Sequence, residues 1–377
     1  MATAYLLVTG DFVKTGGMDR ANFALADYLA KHEKKVTLVG YRVTNELLTY
    51  SNVKFHPIPK LANSYLFSSP LLNYMGRFYA QRLAIDGARV IVNGGNCQWS
   101  DVNWVHYAHV AYRPKVQAGL WRRWKNLVAD SLFLKVEREA LQSAKLIIVN
   151  SDRTQRDLIE NLAIPREKIH RVYYGIDPQV FYPATKEKQD TLRRQLGWSV
   201  NKKIVLFIGA LGDRRKGFDI LFAAWQKLST SAKWDVELVV IGAGAELTKW
   251  EHDASIKNMS SRIRFLGFRT DVPDLLRAAD CLVAPTRYEA YGLGVHEALC
   301  CGLPALVSIT AGVAERYPPE LQELLIPDCE DVEDLVTRLQ KWEQATEYYR
   351  QLVIPLTNEL RKYTWDDMAK NIIEHLN

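Results

Sequence analysis

Short apolar runs recur along the chain, and amphipathic stretches in which apolar positions return every three or four residues alternate with them. In the first half, an apolar strand at Ala4–Val8 leads through a loop containing Gly16-Gly17 to a helix near Arg20–Lys31 and a second strand at Lys35–Gly40. This is the βαβ rhythm of a parallel sheet. Further strands are predicted around Val90–Val92, Asn103–His106, Lys145–Val149 and Lys168–Tyr173, with Ser151 and Asp152 placed to cap a helix after the third of these. The run Tyr174-Gly-Ile-Asp-Pro178 reads as a turn leading away from this first half.

A second alternation starts at Lys203. It predicts strands at Ile204–Ile208, Val236–Ile241, Ile263–Leu266, Cys281–Ala284 and Ala305–Ser308, and helices at Phe218–Leu228, Val272–Ala278 and Gly294–Cys301. Two terminal helices, near Val332–Leu352 and Asp366–Leu376, are separated by a break at Pro355. The expected fold class is therefore α/β, with two Rossmann-like, doubly wound domains facing one another across a cleft. The predicted boundaries are a first domain over 1–178, a polar linker over 179–202 and a second domain over 203–354, with the C-terminal segment 355–377 returning to the first. Ligands of doubly wound sheets sit beyond the carboxyl ends of the strands.

Composition narrows the class without naming a chemistry. The chain has 377 residues, 48% apolar and 24% charged, which suits two globular domains and excludes wholesale disorder. A formal charge of +6 is a mild basic excess that phosphate-bearing substrates or an anionic membrane surface would suit, and it does not require nucleic acid. Cys97, Cys281, Cys300, Cys301 and Cys329 show no metal-ligand spacing, and an adjacent pair makes a poor structural disulfide, so a reducing cytoplasm is expected. Met1 runs straight into an apolar strand, so no secretion signal is expected, and no segment reads as spanning a membrane.

The most informative stretch is Pro285 to Pro304, which holds Glu289 and Glu297 eight positions apart. A strand, a glycine-bearing loop and the first turn of a helix would bring the two carboxylates together where backbone N–H groups lie unpaired. A carboxylate can accept hydrogen bonds from two adjacent hydroxyls, as on a ribose, while the helix start favours a neighbouring diphosphate. The plainer alternative is one solvated loop glutamate and one at a helix end. After the strand ending at Ile208 comes Gly209-Ala-Leu-Gly-Asp-Arg-Arg-Lys-Gly217. Its glycines allow close approach to phosphate, and Arg214, Arg215 and Lys216 are placed to neutralise a departing diphosphate, or else form a basic turn that merely starts a helix.

Other segments leave alternatives open. Gly16-Gly17 is either a tight turn or a loop facing phosphate or acceptor. It is not the dinucleotide fingerprint, and Gly242-Ala-Gly244 also lacks the third glycine. No Walker lysine loop occurs, so hydride transfer and nucleotide-triphosphate hydrolysis lose their best support. His106 and His109 end a first-domain strand and enter the loop at its carboxyl end; either could line the site, and no third ligand suggests a metal. Arg113 to Lys125 carries five cations, no acid and two tryptophans, which suits contact with an anionic membrane interface or a lipid-linked acceptor, a solvated basic face, or RNA.

Taken in order, Gly16-Gly17, His106/His109, Gly209 to Gly217, and Glu289 to Glu297 followed by Cys301-Gly-Leu-Pro304 resemble family 4 of the nucleotide-sugar glycosyltransferases, which have the GT-B fold. The resemblance spans nearly the whole chain, including Tyr174-Gly-Ile-Asp177 and Tyr363-Thr-Trp365. It implies transfer of a sugar from a UDP-, GDP- or ADP-type donor to a glycan, lipid-linked or small-molecule acceptor, with retention of configuration and neither metal nor cofactor. Carried residue by residue, it implies that Glu297 holds the ribose and Glu289 contacts the donor sugar. Arg215 and Lys216 would meet the diphosphate, with Gly17 nearby from the first domain and Gly209, Gly292 and Leu293 lining the donor site. His109, in His109-Val-Ala-Tyr-Arg113, would line the sugar site, with His106 as the alternative. Many members have Gly-Arg-Leu where this chain has Gly209-Ala210-Leu211, and the loop to the lysine is one residue longer here, so Arg214 and Arg215 are both eligible for the cationic role. A nucleotide-sugar sensor without activity and a sugar-nucleotide epimerase of the same architecture are the competing readings.

Overall fold

The computed structural model describes residues 4–60, 65–112 and 133–376, and of residues 65–67 the backbone only. Contacts divide the chain into two compact units, Met1–Gly175 with Thr364–Asn377, and Ile176–Tyr363.

The first unit is built on β1 (Ala4–Val8), β3 (Lys35–Gly40), β5 (Val53–Pro57), β6 (Arg89–Val92), β7 (Val102–Val105), β8 (Leu146–Val149) and β9 (Ile169–Arg171), while β2 (Asp11–Phe12) and β4 (Arg42–Val43) pair separately. The seven strands run in the order β5-β3-β1-β6-β7-β8-β9, and each neighbouring pair is parallel. Strand order reverses between β1 and β6, so the loops leaving their carboxyl ends flank a crevice suited to ligands. The central strands read as nearly continuous apolar runs because helices cover both faces of such a sheet.

The second unit repeats the scheme with β10 (Lys203–Ile208), β11 (Val236–Ile241), β12 (Ile263–Phe265), β13 (Cys281–Ala284), β14 (Ala305–Ser308) and β15 (Leu325–Ile326). Their order is β12-β11-β10-β13-β14-β15, again parallel throughout, with the reversal between β10 and β13. One continuous apolar core, from Ile176 to Leu360, fills this unit.

Two expectations are corrected. Residues 179–202 are not a bare linker: a polar helix at Lys186–Gln195 packs into the second unit, anchored by the buried Arg193, whose Nε donates to Ala278 O at 2.7 Å and whose Nη2 meets Asp280. The return to the first unit begins at Thr364, not at residue 355, because the helix Ile354–Leu360 buries Leu356 and Leu360 in the second core and Thr357 Oγ1 donates to Leu299 O at 2.7 Å. The final helix, Trp365–His375, starts with a capping box between Thr364 and Asp367 and packs on the helix Gly17–Lys31.

Several elements have no counterpart in the pattern reading, among them the helix Leu247–Ile256 and the short strand Leu325–Ile326, and proline accounts for two others. In Val53–Pro57 a terminal proline weakens the strand signal, and the structure puts it at the sheet edge, where a missing N–H is tolerated. The helix Tyr65–Ile85 contains Pro70, which interrupts its periodicity.

Candidate active site

In the second unit, the loops following β10 and β13 leave the sheet at its point of reversal and bring the predicted cations and one predicted carboxylate together. After β10, Gly209 carries no side chain, and a Cβ there would lie 3.2 Å from Lys216 Cγ and 3.0 Å from the Phe207 ring. The lysine stem therefore passes over the strand end. Arg214–Lys216 form a 3₁₀ turn capped by Asp213, whose carboxylate accepts from Arg215 N and Nε, both at 3.0 Å. Gly217 ends the turn at φ +71°, and a Cβ on it would sit 1.8 Å from Pro285 O. That approach seats the cationic turn against the end of β13, and Arg287 N, donating to Arg215 O at 2.8 Å, pins it there.

Glu289 follows four residues after Pro285. Its carboxylate pairs with Lys216 Nζ and lies 3.7 Å from Arg215 Nη1; all three side chains are less than a quarter exposed. Arg214 turns away, with Nη1 3.8 Å from Asp219, a carboxylate that Arg287 holds bidentately at 2.7 and 2.9 Å. Of the two eligible arginines, the fold thus puts Arg215 beside Glu289.

Gly292, at φ +109°, caps the helix Leu293–Cys300. Its ladder begins with Val295 N and His296 N, which both donate to Gly292 O at 3.0 and 3.1 Å, so the N–H groups of Leu293 and Gly294 precede the first rung. A Cβ on Gly294 would meet nothing within 4 Å, so space lies open in front of this turn. Glu297, on the same helix, is buried to 7% exposure. Tyr291 OH and His296 Nδ1 lie 2.5 Å apart and brace the loop against the helix, while burial pushes the His296 pKa down to about 3.

In the first unit, Gly17 is the first residue of the helix Gly17–Lys31, with Gly16 as its cap at φ +83°. Asp19 in that first turn has its pKa pushed up to about 6, first by burial and then by the Asp11 charge. The two histidines part company. His106 is buried, Nδ1 meets Tyr174 OH at 2.6 Å, and desolvation lowers its pKa to about 3. His109 has a side chain 60% exposed, in a 3₁₀ turn after β7, and its Nδ1 lies 2.8 Å from Glu137 Oε1. Glu137 escaped the sequence reading. It sits inside a helix over 133–143 with no motif around it, and only its contact with His109 marks it.

The basic stretch Arg113–Lys125 lies outside the described residues, and among the described residues no helix is long and apolar enough to cross a membrane. Among the described residues no group of three or more His, Cys, Asp or Glu side chains is placed to hold a metal ion.

Comparison with known proteins bears on this arrangement. The model for group 1 glycosyl transferases matches residues 188–354, and that for Glycosyltransferase Family 4 matches residues 15–180. A D-inositol 3-phosphate glycosyltransferase of Corynebacterium jeikeium is 30% identical over 226 residues, 56% of this chain and 52% of the relative. The chain spans about half the length of the first curated relatives it matches. Among solved structures, sucrose-phosphate synthase from Thermosynechococcus elongatus superposes with a TM-score of 0.78 at 20% identity, covering 100% of this chain and 98% of the other. Anabaena HepE in complex with UDP and glucose gives a TM-score of 0.70 at 16% identity, covering 100% and 99%. At such identities the structural likeness shows the fold, which is GT-B. With one model matching the half that carries Gly17 and His109 and the other the half that carries Lys216, Glu289 and Glu297, the chain belongs to the group 1 and family 4 glycosyltransferases.

Proposed function

We propose that the protein is a retaining glycosyltransferase that moves a sugar from a nucleoside-diphosphate donor to a hydroxyl of a glycan, lipid-linked or small-molecule acceptor. The observation that carries this reading is the meeting of Arg215, Lys216 and Glu289 at the reversal point of the second sheet, next to the open first turn of the helix that bears Glu297. Glu289 pairs with Lys216 and lies 3.7 Å from Arg215, whose other carboxylate partner is Asp213. A bound diphosphate would take Lys216 and Arg215 for itself, releasing the Glu289 carboxylate to accept hydrogen bonds from sugar hydroxyls. Glu297 would accept from the ribose hydroxyls, with Gly209, Gly292 and Leu293 lining the donor.

As the bond from the anomeric carbon to the diphosphate breaks, charge grows on the leaving oxygen, so fixed cations there stabilise the transition state more than the ground state. The acceptor hydroxyl forms its bond to the anomeric carbon on the face the diphosphate leaves, and its proton passes to a diphosphate oxygen. Arg215 and Lys216 supply the positive charge that a divalent cation would otherwise bring to the leaving diphosphate, which supports a reaction without metal or further cofactor. Gly17 is assigned to the diphosphate and His109 to the reacting sugar by family resemblance, and the exposure of His109 against the burial of His106 supports that choice. The five cysteines, all unpaired, suit a reducing cytoplasm. The stretch Arg113–Lys125 is assigned to contact with the inner face of an anionic membrane.

A thermal-shift panel with UDP, GDP and ADP identifies the base, since a ligand preferring the native state raises the midpoint. UDP is the first probe because the similar HepE fold is seen with UDP. Release of nucleoside diphosphate from the matching sugar nucleotide, undiminished in EDTA, is the expected result. Absence of any midpoint shift across the panel overturns the donor site, and binding without turnover under any acceptor tested leaves the sensor as the correct reading.

A further inference from the structure

We propose that Glu137 is the positioning residue of His109, holding its ring in the tautomer that presents a bare Nε2 to the substrate. This deepens the functional reading above and rests on it for the role of His109, although the tautomer itself does not.

Glu137 spends its carboxylate on one residue. Oε1 lies 2.8 Å from His109 Nδ1, and the backbone N–H of His109 donates to Oε2 at 3.1 Å and to Oε1 at 3.3 Å. An ionised carboxylate only accepts hydrogen bonds, so Nδ1 must carry the proton. The neutral ring is then the Nδ1–H form, the reverse of the form a histidine side chain prefers in water, and its Nε2 lone pair has no partner among the described residues. That atom can accept a hydrogen bond from a sugar hydroxyl.

Burial separates this pair from an ordinary surface ion pair. The Glu137 side chain is 3% exposed and that of His109 60%, so the costly burial falls on the carboxylate while the imidazole stays accessible. The surroundings hold the carboxylate in place. Gly95 packs so tightly against the helix over 133–143 that a Cβ on it would lie 3.3 Å from Glu137 N and Cα. The turn that carries Gly95 is tied to β7 by the fully buried Asn103, which accepts from Gly94 N at 2.8 Å and donates to Gly94 O at 2.9 Å. The strand that delivers His109 and the turn that seats Glu137 are therefore one rigid assembly, as a site built to fix a ring requires.

The test uses the full chain labelled with ¹⁵N-histidine, the His109 signals being those lost in His109→Phe. In the wild type, long-range ¹H–¹⁵N spectra should show His109 protonated at Nδ1 with Nε2 bare. Glu137→Gln keeps the shape but offers one oxygen to two donors, and should shift most of the ring to the Nε2–H form. With UDP-glucose as probe, or the sugar nucleotide that the panel selects, kcat should fall at least tenfold with KM within twofold. Glu137→Gln combined with His109→Ala should be no slower than His109→Ala alone. Turnover in His109→Ala equal to wild type would remove the role of His109 and leave the tautomer result to judge Glu137. An Nε2–H ring in the wild type, or a tautomer unchanged in Glu137→Gln, overturns the proposal. The wild-type spectrum decides alone if the variants do not fold.

Discussion

Replacing Gly217 by alanine tests the contact that seats the cationic turn. The residue has φ +71°, where a Cβ costs about 1–2 kcal/mol. The new methyl would also start 1.8 Å from Pro285 O, and restoring an ordinary contact of about 3.5 Å moves the turn or the strand end by roughly 1.7 Å. Overpacking of that kind adds about 1–3 kcal/mol, for a total near 2–5 kcal/mol. In a unit of this size each kcal/mol lowers the midpoint by about 2–4 °C, so a fall of roughly 4–20 °C is expected. Gly197 supplies the control: it has φ +67° in the same unit, and a Cβ there meets nothing within 4 Å. Gly197→Ala should show the backbone cost alone. The same displacement pulls Lys216 and Arg215 from Glu289, so Gly217→Ala should also weaken nucleotide binding in calorimetry whereas Gly197→Ala should not. Equal destabilisation of the two variants, with equal nucleotide affinity, would show that the Pro285 contact contributes nothing.

Glu297→Ala should weaken binding of the preferred nucleoside diphosphate by about 1–3 kcal/mol, the scale of lost charge-assisted hydrogen bonds, and unchanged calorimetric affinity would remove the ribose assignment. Acid should destabilise the fold in a defined window. His106 and His296 have folded pKa values near 3 against about 6.5 unfolded, so between those values the unfolded state binds two more protons and stability falls as pH falls. Asp19 acts oppositely: its folded value near 6 lies above its unfolded one, so its contribution is present at low pH and is lost as pH rises through 6. Between pH 6 and 4 these three groups leave a net one-proton slope, about 1.4 kcal/mol per pH unit, and His296→Leu should remove one proton from the slope that denaturant titrations measure. Charge reversal at Arg122 and Arg123 should reduce sedimentation with anionic vesicles, and equal sedimentation of variant and wild type would exclude membrane contact through Arg113–Lys125.

The alternation of strands and helices was legible along the chain because apolar periodicity and turn chemistry are local. Lys203–Ile208, Val236–Ile241 and Phe218–Leu228 occur in the structure as the pattern implies, to within a residue. Loops bearing Gly209 to Gly217 and Glu289 to Gly292 were legible for the same reason, since each joins a strand to a helix. Elements whose local signal is broken by proline, Val53–Pro57 and Tyr65–Ile85, were not, and neither was the buried role of the polar helix Lys186–Gln195. Its arginine is stabilised by partners more than 80 positions away.

What residue order determined by itself was therefore the α/β class and the set of strand-end loops able to carry chemistry. The tertiary structure alone decided which side chains meet: Lys216 with Glu289, 73 positions on; Arg215 there rather than Arg214; and an exposed His109 held by Glu137, 28 positions on. Periodicity reports only the face a residue occupies. Its partner depends on which strand ends the sheet order makes neighbours and on how closely backbones such as those of Gly217 and Pro285 can approach.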